Sequence, residues 1–168
     1  MHKDDAPPDE LDLRILERYQ HDTLTPARAI GEAVGLSAAA VQRRLKRLRE
    51  TGVIRREVAE VSPGAVGLGT TCLVAVDLEQ ERAADLERFR KRMLAAPEVQ
   101  QCYYTTGQVD FVLVVLVRDM EAYEAFTRRS LLDDPNVRSF TTTVVLERVK
   151  TGVAVPLGAA PPTRTKGR

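Results

Sequence analysis

Apolar positions along this chain follow two periods, and the change from one to the other divides it. From Asp9 to Glu50 they recur every three or four residues, the spacing of amphipathic helices. Leu11, Ile15 and Leu16 share one side of a first helix over Asp9–Tyr19, with Asp9 placed as its N-cap. A loop follows at His21–Thr25. Pro26 then suits the first turn of a second helix, whose inner face carries Ala27, Ile30 and Val34. Val41, Leu45 and Leu48 form the stripe of a third helix. Ser37 is placed to cap its first turn, and Gly52 to end it in a left-handed turn. The next stretch, VIRREVAEV, is strand-like, with Val53, Ile54, Val58 and Val61 apolar.

Residues 62–69, SPGAVGLG, interrupt both periods and mark a boundary. Beyond them TTCLVAVDL at 70–78 predicts a strand. Residues 82–95 predict a helix with Ala83, Leu86, Phe89, Met93 and Leu94 inward. Strands are expected at 99–106 and 109–117, separated by a turn at Gly107 and Gln108. The second of them, VDFVLVVLV, is apolar enough to be central in its sheet. Asp119 should cap a helix through Leu132, with Met120, Tyr123, Phe126 and Leu131 on its apolar face. A turn at 133–136 leads to a long strand at 137–149. The order βαββαβ is that of a ferredoxin-like module. Two helices on one face leave the other uncovered, and a second copy is the simplest cover.

The expected fold class is therefore α+β. Residues 9–61 should form a winged helix-turn-helix, 62–69 a linker and 70–157 a ferredoxin-like domain. Residues 1–8 and the basic stretch 158–168 are expected to be disordered. The helix-turn-helix reading rests on spacing: Gly31 is small where the next helix approaches, Gly35 supplies the tight turn, and Leu36 and Val41 follow it into the core. Ala is commoner than Gly at the first of these positions, and Gly costs about 1 kcal/mol in a helix interior.

Charge sharpens this picture. The whole chain is only +1, yet Arg43 to Arg56 holds seven basic residues and one acid, Glu50. A local basic patch on a neutral protein is an electrostatic footprint for a polyanion, although Lys and Arg also simply solvate exposed helices. In a helix-turn-helix the second helix enters a major groove N-terminus first. Ser37, Ala38 and Ala39 then lie where free N–H groups favour a phosphate, with Ala39 able to touch a thymine methyl. Gln42 and Arg43 are the candidate base readers, since Gln suits adenine and Arg suits guanine. Lys46, Arg47, Arg49, Arg55 and Arg56 are candidates for phosphate. Arg44 can instead lie along the domain and pair with an acid.

No coherent catalytic set is present. Cys72 and Cys102 sit singly in strand-like sequence and read as buried thiols of a reducing cytoplasm, and His2 and His21 fall in or near loop segments. Neither CxxC nor a Cys/His cluster suggests zinc, no phosphate-cradling glycine loop appears, and no cofactor is expected. The chain lacks an apolar run of about 18 residues and an apolar N-terminal signal, so a cytoplasmic, nucleoid-associated protein is expected rather than a membrane one. Rival classes are an enzyme on the ferredoxin-like domain and an interaction module for protein or RNA; the Arg-rich helix argues against protein.

Four stretches carry a resemblance: LDLRIL at Leu11–Leu16, VGLSAAAVQRRLKRLRETGVI at Val34–Ile54, TTGQVDF at Thr105–Phe111 and VLERVK at Val145–Lys150. Together they resemble the Lrp/AsnC, or feast/famine, family of transcription regulators, from about Asp9 to Leu157. The resemblance implies regulation of amino-acid-related metabolism through promoter DNA with a pseudo-palindromic site. It implies homodimers formed through the sheets, assembling to tetramers or octamers. It also implies a small amino-acid-like effector between dimers, beside the turn with the Gly-x-x-Asp motif. Here that turn maps onto Gly107 and Asp110, with Thr105, Thr106, Gln108 and Val109 beside them. Family members often carry an aromatic residue where this chain has Val109, and some have no known effector.

The residues of the turn allow two readings of their own. Gly107 permits close backbone approach to a carboxylate, and Asp110 can hold an ammonium group. Equally, Gly107 can serve a hairpin and Asp110 cap it. Thr141–Thr143 can form a second wall, or be ordinary strand residues. Tyr103 and Tyr104 read as one core and one interface residue.

Overall fold

The computed structural model describes residues 7–157; the expectations for 1–6 and 158–168 lie outside the described residues. The chain divides into two compact units, one of residues 7–59 with 151–157, the other Glu60–Lys150.

The first unit is three helices: α1 Glu10–Tyr19, α2 Ala27–Val34 and α3 Ala38–Glu50. Ile15, Tyr19, Ile30, Val34, Val41 and Leu45 form its core, with Ala27, Leu36 and Ile54 packed against it. Asp9 caps α1 in a reciprocal box: its carboxylate accepts from the Asp12 N–H, and that of Asp12 accepts from the Asp9 N–H. Gly35 ends α2 at φ 77°, and the Leu36 N–H returns to the Gly31 carbonyl at 2.9 Å. Gly31 proves a steric necessity: a Cβ there would lie 2.4 Å from the Leu36 carbonyl oxygen. The turn between α2 and α3 thus passes against the backbone of α2 itself.

The wing differs from expectation. Residues 53–61 form no strand, because among the described residues no segment pairs with them in a ladder; Val53, Val58 and Val61 are exposed. Residues 151–157, expected with the sheet, close onto the first unit instead. There the Gln20 side-chain amide donates to the Val155 carbonyl at 2.9 Å and accepts from its N–H at 2.8 Å.

The second unit is a four-stranded antiparallel sheet, β1 Thr70–Leu78, β2 Val99–Tyr104, β3 Phe111–Val117 and β4 Val137–Val144, in the order β2-β3-β1-β4. Helices α4 Ala83–Ala95 and α5 Met120–Thr127 cover one face, and α5 continues into a wider π-helical turn at Arg128–Leu132. Alternate residues of β1 and β3 (Cys72, Val74, Val76, Leu78; Phe111, Leu113, Val115, Val117) meet Phe89, Met93, Tyr123, Phe126 and Leu131 in one core. The opposite face presents Leu73, Ala75, Val112, Val114, Tyr103, Thr141 and Thr143 in register, with no element over it among the described residues.

Some boundaries shift. Leu94 is 85% exposed rather than inward, because it follows Met93 by a rotation of about 100°. Ala83 and Met120 are also exposed: each is the first residue of its helix, ahead of the turns that reach the sheet. β2 ends at Tyr104 and β3 begins at Phe111, so Val109 belongs to the turn. β4 ends at Val144, and Leu146 beyond it is 99% exposed.

Candidate nucleic-acid interface and effector turn

The outward face of α3 begins at Ser37, whose hydroxyl accepts from the Ala40 N–H at 3.2 Å. Val41, Leu45 and Leu48 face inward and are buried. Ala39, Gln42, Arg43 and Lys46 face out, while Ala38 is half-buried. Arg43 takes part in no ion pair among the described residues, nor do Arg55 and Arg56, all three exposed. Lys46 approaches Glu50 at 3.7 Å, an exposed contact of little energetic consequence.

The other cations of α3 are engaged. The Arg44 guanidinium donates to Asp9 at 2.7 Å and to Asp12 at 2.8 Å, and Arg47 donates to the other oxygen of Asp12. Asp12 is fully buried, while the two arginine side chains keep 24% and 27% of their exposure. Burial pushes the Asp9 carboxyl up, but the Arg44 hydrogen bond, the Asp12 N–H and the Arg44 charge outweigh it and hold the group below the usual carboxylate range. Hydrogen bonds to Asp9 and Asp12 raise the Arg44 guanidinium further. Arg49 donates to the Tyr19 hydroxyl at 2.7 Å and to Glu57 at 2.9 Å, and Tyr19 donates to the same Glu57 oxygen at 2.7 Å. The Tyr19 hydrogen bond, helped by Arg49 and opposed by burial, lowers the Glu57 carboxyl. Arg43, Arg44, Lys46 and Arg47, with Asp9 and Glu50, line an open depression of about 500 Å³ on this surface.

Asp12 is the residue that sequence reasoning missed. Its signal was present: it stands on the inward stripe, three, four and seven residues before Ile15, Leu16 and Tyr19. A carboxylate on an apolar stripe must find a cation, because burying it unpaired is costly.

In the second unit, Thr105–Asp110 joins β2 to β3. Its polar groups are engaged, some with the turn's own backbone and some with β1. The Thr105 N–H donates to the Asp110 carbonyl at 2.8 Å, and the Thr105 hydroxyl to the Val109 carbonyl at 2.7 Å. The Asp110 N–H donates to Val76, and the Asp110 carboxylate accepts from the Leu78 N–H at 2.7 Å, extending the contact of β3 with β1. Gly107 adopts φ 124°, and a Cβ there would meet nothing within 4 Å. Thr106, Gly107 and Gln108 are exposed; Thr105, Val109 and Asp110 are half-buried. Just before the turn, the Tyr104 ring lies 5.1 Å from that of Phe111, and the Arg90 guanidinium sits 5.1 Å above Tyr104. Thr141 and Thr143 lie on the uncovered sheet face, whereas the Thr142 hydroxyl turns inward to that of Tyr123.

Residues 9–49 match the AsnC-type helix-turn-helix domain, and residues 71–155 match the Lrp/AsnC ligand binding domain. The chain belongs to the Lrp/AsnC family. It is 44% identical over 149 residues to the uncharacterized HTH-type transcriptional regulator y4tD of Sinorhizobium fredii, covering 89% of this chain and 88% of that one. It is 33% identical to the Bkd operon transcriptional regulator of Pseudomonas aeruginosa, covering 89% and 97%. Among solved structures, a transcriptional regulator of Neisseria meningitidis in complex with L-Met superimposes with a TM-score of 0.83 at 30% identity, covering 90% of this chain and 98% of that one. An AsnC family regulator from Agrobacterium tumefaciens does so with 0.83 at 32% identity, with the same coverage. Like other Lrp/AsnC proteins, this chain is a DNA-binding transcriptional regulator and not an enzyme. Among the described residues, no helix is long and apolar enough to cross a membrane.

Proposed function

We propose that this Lrp/AsnC regulator acts on genes of amino-acid-related metabolism, reading promoter DNA with the outward face of α3 and responding to a small amino-acid-like effector. The observation that carries the DNA assignment is the exposed column of Ala39, Gln42, Arg43 and Lys46, with the exposed Arg55 and Arg56, in no ion pair among the described residues, beyond it. Gln42 and Arg43 read base edges; Lys46, Arg55 and Arg56 meet phosphates. The helix start at Ser37–Ala39 approaches the backbone. Arg43→Ala should cost roughly 1–3 kcal/mol on the preferred site and relax choice at one base pair. An equal loss on every duplex would reduce Arg43 to a phosphate contact.

The effector reading places the ligand at Thr105–Asp110, between dimers paired through the uncovered sheet face. Support comes from the open space at Gly107 and from the L-Met complex of the Neisseria regulator. A thermal-shift screen of the proteinogenic amino acids tests it, with a rise in melting temperature expected at millimolar concentration. A flat screen favours a second reading, effector-independent DNA binding. That reading has its own support: the Thr105 hydroxyl and one Asp110 oxygen already serve the backbone.

A further inference from the structure

Four cations of α3, Arg43, Arg44, Lys46 and Arg47, leave the helix in two adjacent columns with different fates. Arg43 and Lys46 point outward, and the Lys46 side chain is 75% exposed. Arg44 and Arg47 run back to α1, where each oxygen of the buried Asp12 accepts one of them. Asp9 adds a second acceptor for Arg44, and the Asp9 N–H a further donor to Asp12. A cation already neutralised by a buried carboxylate displaces no counterion from DNA. Drawing Arg47 out to a phosphate would leave Asp12 with one arginine fewer in a dry site.

We infer that Asp12 is a positioning residue that sorts the cations of α3: it retains Arg44 and Arg47 as internal struts setting how α3 lies on α1, and leaves the DNA contact to the Arg43–Lys46 column. This rests on the reading that the outward face of α3 meets DNA. Arg47, a phosphate candidate by sequence, is reassigned with Arg44 to the interior. Asp12 acts on recognition through these two side chains and touches no nucleotide. Its loss would free two cations for any phosphate while loosening the helix that reads bases, so non-specific binding gains as specific binding falls.

The test is the salt dependence of binding by the full chain. A preferred duplex is first selected from random DNA, then titrated beside a scrambled duplex from about 50 to about 200 mM salt; each phosphate neutralised contributes about 0.9 to the log–log slope. Lys46→Ala should flatten the slope by about 0.9 per DNA-bound subunit, whereas Arg47→Met should leave it unchanged. Asp12→Asn, which keeps size but removes the charge, should steepen the slope by about 0.9 or more and tighten binding to the scrambled duplex. The preference for the selected duplex should fall about tenfold, the scale of one lost base contact. The double variant Asp12→Asn, Arg47→Met removes strut and anchor together, and keeps the measurement open if a single variant fails to fold; it should retain at least the wild-type slope. Flattening by Arg47→Met or by the double variant as large as that by Lys46→Ala would overturn the role of Asp12, as would a flatter slope in Asp12→Asn. Absence of any duplex preference in the wild type would instead defeat the DNA reading itself.

Discussion

Two glycines of this molecule, Gly31 and Gly107, are required for opposite reasons. At the α2–α3 turn, Gly31 lacks a Cβ because the backbone leaves no space for one. At Thr105–Asp110, Gly107 lacks one because φ 124° suits glycine, while the surrounding space is open. The first turn is packed tightly at Gly31, against the Leu36 carbonyl, while Gly35 on its outer side is exposed; its work is to hold α3 close to α2. The second is closed on itself through Thr105 and tied to β1 through Asp110, and presents an unfilled surface. A turn of the first kind is architecture; one of the second kind leaves room for a ligand.

The sharpest way to break this contrast is Gly31→Ala. Helix propensity alone would favour it by about 1 kcal/mol. Because the obstructing atom is a backbone carbonyl, we expect a net loss of roughly 1–3 kcal/mol by urea denaturation, as in other overpacked sites. An unchanged midpoint would show that the α2–α3 turn can give way. Asp110 comes next. Asp110→Ala strands the N–H of the buried Leu78, at a cost of about 1–3 kcal/mol. Asp110→Asn keeps an acceptor and should lose less than half of that; equal losses would mean that the charge, and not the acceptor, matters.

Gly107→Ala should cost roughly 1–2 kcal/mol, from conformation alone. A larger penalty would indicate crowding at the turn that the open space contradicts. The smallest effect is the acid response of the first unit. Glu57 and Asp9 both have lowered carboxyl pKa values, so their contributions are complete above the ordinary value of about 4 and fade as pH falls through the folded-state values. Glu57→Gln should therefore narrow the gap in urea midpoint between neutral and acid solution. If the gap stays as wide as in the wild type, the contacts of Glu57 with Tyr19 and Arg49 add nothing to pH dependence.

Much of the fold was legible because periodicity is local. The caps Asp9, Ser37 and Asp119 carry the hydrogen bonds that their positions promised. The apolar run Phe111–Val117 lies inside the sheet, between β2 and β1. Leu94 was misplaced because each helical step turns about 100°, and with Met93 pointed at the sheet its neighbour swings out to solvent. The strand expected over 53–61 was misread because a strand needs a partner, and alternation alone does not say whether the chain supplies one. Neither Tyr103 nor Tyr104 is the core residue that one of them was expected to be, since both are half-exposed; the contact of Tyr104 with Phe111 and Arg90 needed three separate elements to come together.

By itself the sequence determined the family, the two-unit order and the cationic character of α3, since each is written in spacing and composition along the chain. Only the tertiary structure decided which of those cations remain available. Arg43, Arg44, Lys46 and Arg47 are nearly indistinguishable as letters, and differ because a carboxylate 32 residues from Arg44 in sequence stands against one side of the helix and not the other. Pairing of charges depends on distances of a few ångströms, and those exist only once α1 and α3 have packed.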